Sequence, residues 1–116
     1  MQKTNVIVDK SYDFAKKIVK LYISLTKEHK EYVLSKQILR SGTSIGANIQ
    51  EAQGSFSKKD FIYKFQISLK EARETHYWLR LLKDTGFIQE NQAEELLNDV
   101  KDLINILTAI LISAKK

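Results

Sequence analysis

The chain has no cysteine and no proline, and only four glycines and two histidines among its 116 residues. Without cysteine there can be no disulfide framework and no thiolate metal site. Without proline, helical segments can be interrupted only by glycine or by polar turn residues. Period-2 alternation of any length is missing, so no strand is expected. Also missing are a Gly-x-x-x-x-Gly-Lys-Ser/Thr loop and a glycine fingerprint following a strand, which excludes the common phosphate cradles. No particular Ser/His/Asp set stands out as a nucleophile. No catalytic, metal or cofactor-binding residue is expected, and the chain reads as a non-enzyme.

What is present belongs to an ordinary globular domain. Hydrophobic residues make up 43% and charged residues 28%, and 116 residues suffice for one core, giving a single expected domain over 1–116. The N-terminal MQKTNVIVDKSYDF mixes charge into its apolar residues, unlike a signal peptide. The longest uncharged run near the C-terminus, LINILTAILISA at 103–114, falls short of the about 20 residues that cross a bilayer. A cytoplasmic protein with no membrane partner is expected. The net charge of +5 is uneven: +5 over residues 1–40, +2 over 41–85 and −2 over 86–116, which points toward an anionic partner.

Four helical patterns fill the chain. The first, near 6–28, carries Val8, Tyr12, Ala15, Val19 and Tyr22 on one stripe and Phe14, Ile18, Leu21 and Leu25 on a second. The next, about 33–54, has Leu34, Ile38, Gly42, Ile45, Ile49 and Ala52, with Gly54 expected to end it in a left-handed turn. The third, about 58–85, opens on a Ser57–Asp60 capping pair and closes at Gly86 with Phe87 and Ile88. Its core side is Phe61, Phe65, Leu69, Ala72, His76 or Thr75, Leu79 and Leu82. The last, about 90–114, runs from Ala93 to Ala114, and its final turns add Ile106, Ala109 and Ile112 until they are apolar almost all round. Short loops make sequential helices antiparallel, so the expected fold is an all-α, up-down-up-down four-helix bundle. Bundles of this kind can hold a dinuclear metal through two Glu-x-x-His motifs. Here Arg73 stands three residues before His76 and Thr26 three before His29, so that centre is excluded. His29 is expected in a solvated turn and His76 at a core edge.

The segment LRSGTSIGANIQEAQGS, 39–55, gathers three of the four glycines inside a helical pattern. A glycine in a helix interior costs roughly 1 kcal/mol relative to alanine. Gly42 and Gly46 lie one turn apart, a spacing that admits a second backbone or a bend. Arg40, Ser44, Asn48 and Glu51 form a polar line beside them. That line is either a solvated face or a buried or interfacial network; in the second case its charge must be paired. If the second and third helices pivot near residue 56, Arg40 faces the level of residue 72, so it is expected to pair with Glu71 or Glu74.

On the first helix Lys10, Lys17, Lys20 and Lys27 share a stripe, widened by Lys3, Lys16, Lys30 and Lys36. Lys10, Lys16, Lys17, Lys20 and Lys27 are candidate contacts to RNA or DNA phosphates, without base reading. The alternative is a lysine-rich outer face that keeps a bundle soluble. Tyr77 and Trp78 fit either base stacking or packing between subunits.

The pattern Gln37-Ile38-Leu39-Arg40, then Ser44-Ile45-x-x-Asn48-Ile49-x-Glu51, resembles a bacterial family of four-helix-bundle proteins first noticed as reading frames in intervening sequences of 23S rRNA genes. The run Asp60-Phe61-Ile62…Ile67-Ser68-Leu69…Ala72-Arg73-Glu74…Leu79, closing on Gly86-Phe87-Ile88, is similar to that family's third helix. The resemblance covers about residues 6–112. Gly46 stands where many members have proline, and Lys70-Glu71 where many have Gly-Ser. The resemblance implies a homopentamer with a central channel. It also implies kinship with the basic accessory protein of diversity-generating retroelements, which contacts a reverse transcriptase and nucleic acid. Two functions are therefore expected as alternatives. One is a homo-oligomer that binds nucleic acid non-specifically; the other is a protein-binding scaffold or accessory subunit, for example to a polymerase. Self-association is expected from the apolar end of the fourth helix and the small residues of the second.

Overall fold

The computed structural model describes residues 2–116, with side chains from Val6 onward; Lys3 lies outside the described side chains. Four helices form: α1 (Gln2–Lys27), α2 (Leu34–Ala52), α3 (Lys58–Asp84) and α4 (Glu90–Ala114). At about 1.5 Å per residue, α1, α3 and α4 each run nearly the full length of a rod measuring 45 × 21 × 18 Å. The connections of five or six residues are too short to cross that length, so successive helices alternate in direction. Each helix packs against its two neighbours in the ring α1–α2–α3–α4, and diagonal helices make no close approach. This is the expected antiparallel four-helix bundle. No helix among the described residues is long and apolar enough to cross a membrane.

The core is a column of side chains at helical spacing. On α1 it takes Ile7, Ser11, Phe14, Ile18, Leu21 and Leu25, all essentially inaccessible. The wide apolar face read on α1 therefore divides: the stripe through Phe14 and Leu25 is core, whereas Tyr12 is 65% exposed and Val19 is also exposed. A helix touching only two neighbours buries one arc, and residues about 100° beyond it fall outside. Ile38, Ile45, Ile49, Phe65, Leu79, Leu82, Val100, Leu103 and Leu107 complete the column. At position 75 or 76 the core takes Thr75 and leaves His76 half-buried. The end of α4 is better covered than its composition suggests. Ile110 and Leu111 are buried, Ile106 and Ala109 half-buried, and only Ile112, 58% exposed, faces out.

Local signals fix the helix ends. The Ser57 side chain accepts from the Asp60 amide at 3.0 Å, capping α3. At the other end Gly86 has φ +82° and Phe87 N–H reaches Leu82 C=O at 3.0 Å, a left-handed termination. Gly54 behaves differently from expectation and is not left-handed. The amides of Gln53, Gly54 and Ser55 each bond the carbonyl three residues back, so α2 ends by tightening rather than reversing hand. The N-terminus of α2 is capped from outside. The Glu31 carboxylate accepts from the amides of Val33, Leu34 and Ser35 at 2.7–3.1 Å.

Candidate functional site

The seam between α2 and α3 holds the most extensive side-chain network. Arg40 on α2 donates through Nη1 to Glu71 Oε2 at 2.7 Å and through Nη2 to Glu74. The Glu71 side chain is only 11% exposed, so its charge depends on this partner. Trp78 Nε1 donates to the Glu74 carboxylate at 3.1 Å. That bond, opposed by partial burial and joined by Arg40, holds the Glu74 carboxyl below the usual carboxylate range. The Arg40 guanidinium is held above its ordinary value, chiefly by its hydrogen bond to Glu74. Beneath the ions lies a layer of hydroxyls: Thr75 donates to Ser41 Oγ at 2.9 Å, and Ser68 to the Ile45 carbonyl at 2.9 Å. These hydroxyls stitch α2 to α3, and each finds a partner.

The rest of the polar line on α2 does not join this network. Ser44 Oγ bonds the Arg40 carbonyl at 2.6 Å, and Asn48 Nδ2 bonds the Ser44 carbonyl at 2.8 Å, both within their own helix. Glu51 pairs separately with Lys64 at 2.8 Å, nearer the turn. Sequence spacing aligned the four residues on one face; Arg40 and Glu51 reach across to α3, at separate levels, while Ser44 and Asn48 stay within α2.

Gly42 and Gly46 serve the opposite seam. A Cβ at Gly42 would lie 2.8 and 2.9 Å from Ile18 Cγ2 and Cγ1, and one at Gly46 would lie 3.3 Å from the Ser11 carbonyl oxygen on α1. The two glycines thus let α2 approach α1 inside one chain, and their spacing is used up by intramolecular packing.

The candidate phosphate-binding lysines on α1 prove mostly to be bridges. Lys10 pairs with Asp102 at 2.5 Å, and Lys17 with Asp99 at 2.8 Å and Glu95 at 3.1 Å, across the α1–α4 seam. The hydrogen bond that Lys17 donates to Asp99, followed by that to Glu95, raises it above the ordinary lysine value. Lys16 pairs with Asp13 at 3.3 Å along α1. Three lysines therefore meet four carboxylates, leaving no local excess of positive charge. Lys20 and Lys27 are exposed, with no carboxylate in ion-pair range among the described residues.

The unpaired cations concentrate elsewhere, where composition by thirds gave little hint. On the outer face of α3, Lys70, Arg73 and Arg80 are exposed and make no ion pair among the described residues, and Lys101 joins them from α4. His76 lies half-buried among them, lowered from its ordinary value by burial and then by Arg80 and Lys101. Arg73, His76, Lys101 and Ile104 line a shallow depression of about 350 Å³. Tyr63 and Tyr77 stand 59% and 49% exposed on the same helix, and the Arg80 guanidinium lies 5.9 Å from the Tyr77 ring centre. The signal was available as a seven-residue spacing, Tyr63, Lys70 and Tyr77 beside Arg73 and Arg80. The denser lysines of α1 outweighed it. No three His, Asp or Glu side chains among the described residues converge to hold a metal.

An all-α bundle whose prominent polar side chains build seams and surfaces is the class that fold and geometry define. Within that class, the family model for the 23S rRNA-intervening sequence protein matches residues 3–109, and the chain belongs to this family. It is similar to a protein of unknown function from the S23 ribosomal protein family of Bacteroides thetaiotaomicron, known from a crystal structure. The two share 54% identity over 94% of this chain and 97% of that one, with a TM-score of 0.92. No curated protein matches the chain.

Proposed function

We propose that the protein is a non-catalytic subunit of a homo-oligomer, a pentamer as the family resemblance implies, whose assembled surface serves as a binding platform. The carrying observation is the exposed apolar strip on the outside of α1. Ser11 and Ile18 mark the side of α1 that meets Gly46 and Gly42 on α2. Each residue turns the helix by about 100°. The residue before each of these, Lys10 and Lys17, swings to α4; the residue after each, Tyr12 and Val19, swings outward beyond α2. Ile23 extends the strip, and Leu39, Thr43 and Ala47 border it from α2. None of these six carries a charge, and an uncharged apolar surface of this kind marks a site of association.

A second copy of the chain fits that strip better than an acidic partner does, because the strip offers no cation to pair except Lys16 at its rim, which lies 5.2 Å from the Tyr12 ring centre. Light scattering on the purified protein at micromolar concentration tests the proposal. A mass of several subunits supports it, and a monomer overturns it in favour of a scaffold that receives a different protein. Nucleic-acid binding through α1 draws less support than the lysine count suggested, because Lys10, Lys16 and Lys17 are already engaged.

A further inference from the structure

The geometry points to a binding surface for single-stranded nucleic acid on the outer face of α3, completed by Lys101 of α4. Four cations, Lys70, Arg73, Arg80 and Lys101, stand exposed there without a carboxylate in ion-pair range among the described residues. The acids in the middle of α3 that could have cancelled them are paired elsewhere. Glu71 and Glu74 turn to Arg40, while Asp60 in the first turn and Asp84 at the last, four residues from Arg80, stand at the two ends of the patch. Lys83, one turn beyond Arg80, holds Glu94 at 2.8 Å, so that pair closes the patch at one end without adding net charge.

Two features favour a strand of nucleic acid over an acidic protein. Tyr63 and Tyr77 are exposed and lie fourteen residues apart on the stripe that carries Lys70; the Tyr77 ring already has Arg80 over it at 5.9 Å and Trp78 edge-on at 5.1 Å, an aromatic and cation pairing on which a base can stack. Arginines at positions 73 and 80 repeat the same period beside them, so cation and aromatic alternate along about 25 Å of helix. A backbone of regularly spaced phosphates with unstacked bases matches that alternation. Arg73 and Lys101 line the depression beside the half-buried His76, which makes it a place for an anion. This surface lies on the α3–α4 side of the ring, away from the apolar strip of α1 and α2, so it does not depend on the proposed assembly.

The test is fluorescence anisotropy of labelled single-stranded RNA and DNA oligonucleotides, titrated with the full chain across a salt series. Each phosphate neutralised on a single strand contributes about −0.7 to the slope of log affinity against log salt. Four cations therefore predict a slope near −3 and about 50-fold weaker binding when salt rises fourfold. Arg73→Ala with Arg80→Ala should make the slope shallower by about 1.4, and Arg73→Lys with Arg80→Lys should restore it. Tyr63→Ala with Tyr77→Ala should weaken binding about tenfold or more and leave the slope unchanged. Lys20→Ala with Lys27→Ala should alter neither. All these side chains are exposed, so far-UV circular dichroism should report intact helices throughout. Absence of binding at low salt, or an unaltered slope in the arginine-to-alanine variant, overturns the proposal. So does equal binding of polyglutamate with no effect of the tyrosines, which would assign the face to an acidic protein. Light scattering on the same samples reads the oligomer separately, so loss of one property is not mistaken for loss of the other.

Discussion

Arg40 of α2 and Glu71 of α3 meet at 2.7 Å with the carboxylate almost sealed from solvent, while the guanidinium keeps its outer edge in water. The asymmetry decides what each substitution does. Arg40→Ala strands a nearly buried charge, but exposure of the arginine side tempers the loss to about 2 kcal/mol. Glu71→Ala removes the charge that needed compensation and leaves Arg40 with Glu74, so it should cost less. Urea denaturation of the two single variants and the double variant would show a coupling of about 1 kcal/mol, with the double variant more stable than the sum of the singles. Additive losses would mean the pair contributes nothing of its own.

The two glycines of α2 should part company when replaced by alanine. At Gly42 the added methyl would come within 2.8 Å of Ile18, a core residue with no room to yield, so Gly42→Ala should lose about 2 kcal/mol despite better helix propensity. At Gly46 the closest atoms are 3.3 Å away, and the gain of roughly 1 kcal/mol in propensity should about cancel the crowding. Adding Ile18→Val to Gly42→Ala should recover none of the loss, because valine keeps both Cγ atoms and the Cβ that the new methyl would meet. Denaturant midpoints order the variants directly, and equal midpoints for both alanine variants would contradict the packing described.

Residues 39–55 illustrate what could be read in advance. Hydrophobic periodicity, the Ser57 cap and the Gly86 turn are local, so the helices and both ends of α3 were legible, whereas the left-handed end expected for α2 at Gly54 did not form. The register that brings Arg40 level with Glu71 and Glu74 was legible too, because a short hairpin leaves little choice of alignment. Pairings set by the closing of the ring were not legible. Asp99 and Asp102 reach Lys17 and Lys10 from more than eighty residues away. Nothing in α1 alone distinguishes a lysine that bridges a seam from one facing solvent. Nor could the two apolar stripes of α1 be ranked, since both satisfy the helical period and only the neighbours decide which is core.

Stability should depend on pH through Glu31. Burial pushes its carboxyl up, but hydrogen bonds from the amides of Leu34, Ser35 and Val33 outweigh it and bring the group below its ordinary value near 4.5. A group lowered on folding contributes fully above its unfolded value and loses that contribution as pH falls through the folded one. At neutral pH Glu31→Ala should therefore cost about 1–2 kcal/mol, as for the loss of a helix cap. The gap between wild type and variant should narrow below pH 4.5 and close in stronger acid. Thermal melts at pH 7 and at acidic pH would reveal it, and a gap that stays constant would remove Glu31 from the cap.

A charge placed on the apolar strip should dissociate the assembly without unfolding the subunit. Val19 and Ile23 are exposed in the single chain, so Val19→Glu and Ile23→Lys each leave the core column of Ile18 and Leu21 untouched. Across a packed interface, the same charge would be buried without a partner, a cost of several kcal/mol that few associations survive. Light scattering should then show monomers for both variants, with melting temperatures lower only by what assembly contributed. Ile112→Glu, on the exposed end of α4, provides the contrast. If it alone dissociated the protein, the contact would lie at the end of α4. If Val19→Glu and Ile23→Lys alone did so, it would lie along α1, where the uncharged strip is continuous.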